Sequence, residues 1–199
     1  MSLQTSYRLI APFYDAFLRR ATAAQRERSL ARLPHCGARV LLSGAGTGLD
    51  FPFLPEEHDY TALDLTPAML ARSHAPAREL RMRWVQGDSM ALPFADESFD
   101  FVVLHLIVAV VPEPQRCLSE SARVLRPGGR ILLFDKFLRR GERAWLRRSL
   151  SPLVAQMATR LDVVFEDVLA TTPGLRVQTD EPALAGGWFR LIELSKEDR

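Results

Sequence analysis

The sequence predicts an α/β fold: a doubly wound, mostly parallel sheet with helices on both faces. Short apolar runs typical of buried parallel strands alternate with segments of helical character along residues 40–134. The first run, Val40–Ser43, stops in a glycine-rich turn, and the second, Tyr60–Leu65, contains an acid near its end. Both features are typical of the edge at which such sheets bind ligands.

Composition limits the class of protein. The chain has 199 residues, of which 47% are hydrophobic, which is enough for a full core and predicts one domain. The net charge of +2 is too small to indicate a nucleic-acid partner. Two cysteines cannot form a disulfide framework and the four histidines lack metal-ligand spacing, so we expect a soluble cytoplasmic protein without a metal. The longest apolar run, residues 101–111, is too short to span a membrane.

The elements before the third strand follow from apolar spacing and turn residues. The first thirty-odd residues place apolar side chains at helical spacing and predict a helical segment. The stretch Gly48–Pro55 can hold only a short helix, because its prolines lack a backbone donor. After the second strand, Thr66 and Pro67 predict a helix start, with threonine as the cap and proline in the first turn.

The later elements alternate in the same way. A helix over Gln115–Leu125 should end at the sequence Arg126-Pro127-Gly128-Gly129. Residues 139–170 predict one or two arginine-rich helices. The remaining predicted strands are Arg83–Gln86, Phe99–Leu104, Arg130–Phe134, Leu175–Val177 and Trp188–Leu194.

The glycine-rich turn and the following acid indicate the kind of ligand. Gly44, Gly46 and Gly48 place the third glycine two residues after the second, whereas the dinucleotide fingerprint places it three after. This spacing disfavours a dinucleotide-dependent reductase. Asp64 follows Gly46 by eighteen residues, where a carboxylate can accept hydrogen bonds from a ribose diol. The pattern predicts an adenosine-containing cofactor.

Five sequence blocks, in order, resemble the class I S-adenosylmethionine-dependent methyltransferases. The blocks are Leu41–Gly48, Ala62–Leu70, Gly87–Phe94, Phe99–Asp100 and Ala122–Gly129. The resemblance implies a Rossmann-like methyltransferase fold that uses S-adenosylmethionine. It divides a single methyltransferase domain, residues 1–199, into a helical lid (1–33), a cofactor-binding core (37–136) and C-terminal helices and last strands (137–199).

The resemblance also implies roles for individual residues. Asp64 would accept hydrogen bonds from both ribose hydroxyls, and Asp88 would accept one from the adenine amino group; the alternative for each is an ordinary strand-end or turn aspartate. The other implied cofactor contacts are Gly44, Ala45, Gly46, Thr47, Gly48, Leu65, Met69, Ser89 and Met90. Two positions depart from the family pattern. Leu42 replaces a usual acid, and Ala109-Val110 replaces a histidine or aromatic pair, which predicts an apolar acceptor pocket.

Catalytic candidates come from the end of the fourth strand and from the N-terminal segment. His105 is either a general base for the methyl acceptor, or a histidine that borders the cofactor or belongs to the core. The stretch Tyr7–Asp15 resembles the opening of methyltransferases of quinone precursors and phospholipid headgroups, which implies a lid over the cofactor. Tyr7 is then a cofactor contact and Tyr14 a catalytic candidate. The alternative is a helix that only packs on the core.

The methyl acceptor is indicated by the C-terminal part. Arginines alternate with apolar residues after Phe137, which suits either an anionic membrane surface or an ordinary solvated helix face. Pro182–Leu194 resembles the final strand of bacterial phosphatidylethanolamine-type enzymes. We therefore expect methylation of a small or lipid-like acceptor, an amine such as a phospholipid headgroup, with peripheral contact at the inner membrane face. The alternatives are a C-methyltransferase of quinone biosynthesis and a non-catalytic module that binds S-adenosylmethionine or S-adenosylhomocysteine.

Overall fold

A computed structural model of the chain describes residues 20–77, 79–138 and 163–198. Within these ranges, seven strands form one sheet. They are β1 (Arg39–Ser43), β2 (Asp59–Asp64), β3 (Arg81–Gln86), β4 (Phe99–His105), β5 (Leu125–Lys136), β6 (Leu175–Leu184) and β7 (Phe189–Lys196). The described helices are α1 (20–30), α2 (Pro67–Ser73), α3 (Pro114–Val124) and α4 (Phe165–Leu169), with 3-10 turns at Phe51–Phe53, Ala75–Ala77 and Ala185–Gly187.

The sheet has the order β3-β2-β1-β4-β5-β7-β6. Strands β1 to β5 pair in parallel, and β7 runs antiparallel between β5 and β6. The predicted mostly parallel, doubly wound sheet is confirmed. Because β1 to β5 point the same way, their carboxyl ends form one edge of the sheet, which we call the ligand edge.

Apolar side chains cover both faces of the sheet, as alternation along buried strands requires. On one face, Val102 and Leu104 of β4 belong to a core that includes Leu118 of α3 and Val168 of α4. On the other face, Val103 joins a second core. That core also contains Leu30, Leu33, Val40, Leu42, Phe51, Tyr60 and Leu132. Helix α1 therefore packs on the face opposite α3 and α4.

The structure corrects the sequence prediction around the fifth strand. Helix α3 ends at Val124, just before the predicted terminator, but β5 begins at Leu125 and not at the predicted Arg130, so Arg126-Pro127-Gly128-Gly129 lies within the strand. The strand accommodates this stretch by a register shift against β4 between Phe99 and Phe101, and Gly128 takes φ +70°. Strand pairing continues on both sides of the irregularity, as at a β-bulge.

Smaller differences concern strand ends and a cap. Strands β6 and β7 extend to Leu184 and Lys196, beyond the predicted ends. Thr66 precedes α2 as predicted, but its side chain makes no capping hydrogen bond. Its backbone N–H instead donates to Asp64 Oδ1 at 2.9 Å. The chain before α2 is therefore ordered by a turn hydrogen bond to the Asp64 side chain and not by a cap from the Thr66 hydroxyl.

Two predicted segments lie outside the described residues. They are the N-terminal part of the lid, residues 1–19 with Tyr7 and Tyr14, and the basic segment 139–162. None of the helices in the described residues has the length and apolar character needed to cross a membrane.

Candidate functional site

The glycine turn, residues 44–48, connects β1 to the 3-10 turn at the ligand edge. The N–H groups of Gly44 and Ala45 both donate to Leu63 O, at 2.8 and 2.9 Å, so the turn is fastened to the end of β2. Gly44 has φ +77°, and a Cβ there would lie 2.8 Å from the Ile107 side chain. Gly46 has φ +56°, but a Cβ there would meet no atom within 4 Å. The backbone at Gly46 therefore faces open space.

Asp64, at the end of β2, is already oriented by the backbone around it. Its Oδ2 accepts from Gly46 N and its Oδ1 from Thr66 N, both at 2.9 Å. Each oxygen can accept a second hydrogen bond from a ligand. The next residue, Leu65, exposes 65% of its surface, which is unusual for a leucine between a strand and a helix. Met69 is partly buried in α2.

The loop after β3 brings the second acid to the same edge. Gly87 N donates to Asp64 O at 3.1 Å, so the loop starts against the end of β2. Asp88 Oδ1 accepts from Met90 N at 2.8 Å, a turn typical of aspartate. The Ser89 and Ser43 hydroxyls are 2.8 Å apart and join this loop to the end of β1.

His105, the last residue of β4, lies within a buried network that we call the Asp50 network: Arg26, Ser29, Asp50 and His105. Asp50 Oδ1 accepts from His105 Nδ1 and Arg26 Nη1, each at 2.7 Å. His105 Nε2 lies 2.9 Å from the Ser29 hydroxyl. The His105 side chain is only 1% exposed. Both ring nitrogens are therefore engaged within the protein.

A second buried acid supports the loop after β4. Asp135 Oδ2 accepts from Ala109 N at 3.0 Å, and its Oδ1 from Lys136 N at 2.8 Å. Burial raises the pKa of Asp135 to about 6, although these backbone hydrogen bonds oppose the change. Ala109 is fully buried and Val110 is 39% exposed. Of the pair predicted to line an apolar acceptor pocket, only Val110 reaches the surface.

The structure thus brings together most of the predicted cofactor residues. Hydrogen bonds link the glycine turn to Asp64, the end of β2 to the loop containing Asp88, and Ser89 to β1. Thr47 and Met90 are partly buried within the turn and the loop after β3. Sequence reasoning missed Asp50 and Arg26. These residues are 24 positions apart, and no local pattern joins them before the chain folds.

Comparisons with known proteins agree with this geometry. Residues 41–133 match the family model described as a methyltransferase domain. A phosphatidylethanolamine N-methyltransferase of Cereibacter sphaeroides is 34% identical over 188 residues, covering 92% of each chain. The chain belongs to the class I S-adenosylmethionine-dependent methyltransferases.

Two other known proteins are similar to this methyltransferase, one over only part of the chain and one at low sequence identity. A ubiquinone/menaquinone biosynthesis C-methyltransferase of Roseobacter denitrificans is 41% identical over 109 residues, 51% of this chain and 44% of that protein. The structure of geranyl diphosphate C-methyltransferase from Streptomyces coelicolor, solved with S-adenosylhomocysteine, has a TM-score of 0.71 and 17% identity. The similarity extends over 87% of this chain and 76% of the chain in that structure. At that identity the likeness concerns the fold.

The residues present fit S-adenosylmethionine, the cofactor of the family. The open side of Gly46 leaves space beside the backbone that a Cβ would enter. Asp64 presents oriented acceptors next to that space, and Leu65 presents an apolar surface one residue later. A diol-bearing group with an adjacent apolar ring matches this combination.

Proposed function

We propose that this methyltransferase methylates the nitrogen of a lipid-like amine, such as a phospholipid headgroup. The observation that carries the proposal is the similarity to phosphatidylethanolamine N-methyltransferase over 92% of both chains. The quinone C-methyltransferases match only about half of this chain, so the similarity to them leaves out much of the chain beyond the shared core. The predicted resemblance of Pro182–Leu194 to phosphatidylethanolamine-type enzymes gives further support.

Within this proposal, the ligand edge holds the cofactor through four groups. The glycine turn passes beneath its methionine and sugar parts, and Asp64 accepts from the two ribose hydroxyls. Asp88 accepts from the adenine amino group, while the exposed Leu65 packs on the adenosine. The hydrogen bonds from Gly46 and Thr66 to Asp64 support this assignment, because they fix the carboxylate before a ligand binds.

The bound cofactor supplies a methyl group on a sulfonium, so the protein needs no covalent nucleophile. The chain's own task is to hold the acceptor in line with that methyl and to exclude water, which is worth about 7–11 kcal/mol in favourable cases. His105 is buried, with both ring nitrogens engaged within the protein, which favours the alternative in which it borders the cofactor or belongs to the core over a role as base. Tyr14 stays a catalytic candidate from sequence.

Label transfer tests the proposal. The purified protein, incubated with methyl-labelled S-adenosylmethionine, is offered vesicles of phosphatidylethanolamine, vesicles of phosphatidylglycerol, and a demethylated quinol. We expect label in N-methylated lipid from the first vesicles only. Label in the quinol alone would contradict the proposal and favour the C-methyltransferase. Cofactor binding without transfer to any of the three would favour a non-catalytic binding module.

A further inference from the structure

The Asp50 network is a buried charge cluster that the proposed methyl transfer does not itself use. The exposed fractions of its side chains are 6% for Arg26, 8% for Asp50 and 1% for His105. Burial alone would raise the pKa of Asp50, but attraction by His105 and Arg26 and their hydrogen bonds hold that pKa below its ordinary value. A buried ion pair often adds little net stability, because its desolvation offsets the attraction. We therefore ask which elements of the fold this ion pair holds in position.

The network joins three elements around the glycine turn. Arg26 and Ser29 belong to α1, Asp50 begins the 3-10 turn that follows the glycines, and His105 ends β4. Arg26 also donates through Nε to the Thr22 hydroxyl at 3.0 Å, which fixes its side chain along the helix. One carboxylate oxygen of Asp50 therefore connects a helix, a turn and a strand end.

Residues next to members of the network contact the glycine turn from two sides. Asp50 lies two residues after Gly48, and Phe51 N donates to Gly48 O at 3.1 Å. Beyond His105, the Ile107 side chain packs so close to Gly44 that a Cβ there would lie 2.8 Å from it. A shift of either Asp50 or the end of β4 would therefore move the backbone of the turn.

The strand next to His105 offers no substitute for Asp50. Leu42 of β1 pairs in register with Val103 of β4, and alternation along β4 places His105 on the same face as Val103. Leu42 is 2% exposed and has no hydrogen-bonding group in its side chain. The carboxylate partner of His105 thus comes from the turn rather than from β1.

We infer that Asp50 is a positioning residue of the cofactor site: through Arg26 and His105 it fixes the glycine turn against helix α1 and the end of β4. The inference rests on the proposed cofactor site. It predicts that loss of the Asp50 charge weakens cofactor binding by the folded protein, without any contact between Asp50 and the cofactor.

Asp50→Asn tests this, because it keeps the shape of the side chain and removes its charge. Asp100→Asn is the matched control. Asp100 is a buried carboxylate near the start of β4, at the opposite edge, where it accepts from Arg39 N at 2.6 Å and pairs with Arg126 at 3.0 Å. Calorimetry with S-adenosylhomocysteine should show at least tenfold weaker binding for Asp50→Asn and unchanged binding for Asp100→Asn. Thermal unfolding without ligand should show a lower midpoint for both.

His105→Asn covers the case in which Asp50→Asn fails to fold, because it keeps the Arg26–Asp50 ion pair and removes the imidazole that links β4 to Asp50 and Ser29. We expect it to weaken S-adenosylhomocysteine binding as well. Wild-type affinity in the folded Asp50→Asn or His105→Asn variant would overturn the inference and leave the proposed cofactor site standing. Absence of binding by the wild-type protein would instead overturn the cofactor site itself, and the inference with it.

Discussion

We propose two functions for Asp64, one in shaping the glycine turn and one in binding the cofactor. The hydrogen bond from Gly46 N fastens the glycine turn to the end of β2, and the same carboxylate is proposed to accept from the ribose hydroxyls. An acceptor held in advance loses little conformational entropy on binding. Removal of the carboxylate therefore affects both the direct contact and the shape of the turn.

Asp64→Ala should weaken S-adenosylhomocysteine binding by about 1.5–3 kcal/mol, the usual range for hydrogen bonds to a charged group. This corresponds to roughly 10- to 150-fold in Kd, measured by calorimetry. Asp59→Ala is the control, because Asp59 begins the same strand, is exposed, and pairs with Arg81 at 3.4 Å. Equal affinity in the Asp64 variant and the wild-type protein would remove Asp64 from the site.

Gly46→Ala and Gly174→Ala form a second matched pair. Both glycines have positive φ, +56° and +86°, and a Cβ at either would meet no atom within 4 Å. Each substitution should thus cost about 1–2 kcal/mol of stability through backbone strain. Only Gly46→Ala should also weaken S-adenosylhomocysteine binding, because its methyl group enters the space proposed for the cofactor. Comparable affinity in both variants, by calorimetry, would contradict that placement.

At the scale of elements, the sequence predicted what local patterns determine. The strand Val40–Ser43, its glycine turn and the following acid were placed correctly because apolar runs and glycines act over a few residues. The start of β5 was predicted wrongly, at Arg130 instead of Leu125, because the turn-forming residues bulge out of the strand without ending it: β4 pairs with Leu125 before them and with Arg130 after them. Asp50 and Arg26 could not be paired in advance, since only the packing of α1 brings them together.

Asp135 supports the loop after β4 and makes stability depend on pH. Its pKa is about 6 in the folded protein against an ordinary 3.8. Between these values the folded state holds a proton that the unfolded state lacks. This group therefore stabilises the fold as pH falls through 6, and its ionised form destabilises the fold at pH 7.

The stability of the Asp135→Asn variant relative to wild type should be higher at pH 7 than at pH 4, because only the wild-type side chain ionises in this range. The difference between the two free energies of unfolding should change by up to about 3 kcal/mol over this range, from 1.36 kcal/mol per pKa unit. Urea denaturation at a series of pH values measures it, and the subtraction removes groups common to both proteins. A difference that does not vary with pH would show that this carboxylate does not titrate there.

At the scale of the whole molecule, helix α1 connects distant parts of the sheet. Arg28 of α1 and Arg32, two residues after its end, pair with Glu181 of β6 at 2.7 and 3.0 Å, and Arg32 also lies 3.5 Å from Glu193 of β7. On the same helix, Arg26 reaches Asp50 beside the glycine turn. Helix α1 is thus bonded both to the turn beside the ligand edge and to the antiparallel strand β6. Loss of structure in either region should therefore affect the other.

Ligand binding should therefore stabilise the described fold as one unit. S-adenosylhomocysteine at about 100 times its Kd should add about 2.7 kcal/mol and raise the unfolding midpoint by roughly 5–10 °C. Scanning calorimetry should show a single transition that shifts as a whole, at the midpoint seen by circular dichroism. With Asp64→Ala at the same ligand concentration the shift should be much smaller. A second transition whose midpoint does not change as ligand is added would show that the antiparallel strands β6 and β7 unfold independently of the ligand edge.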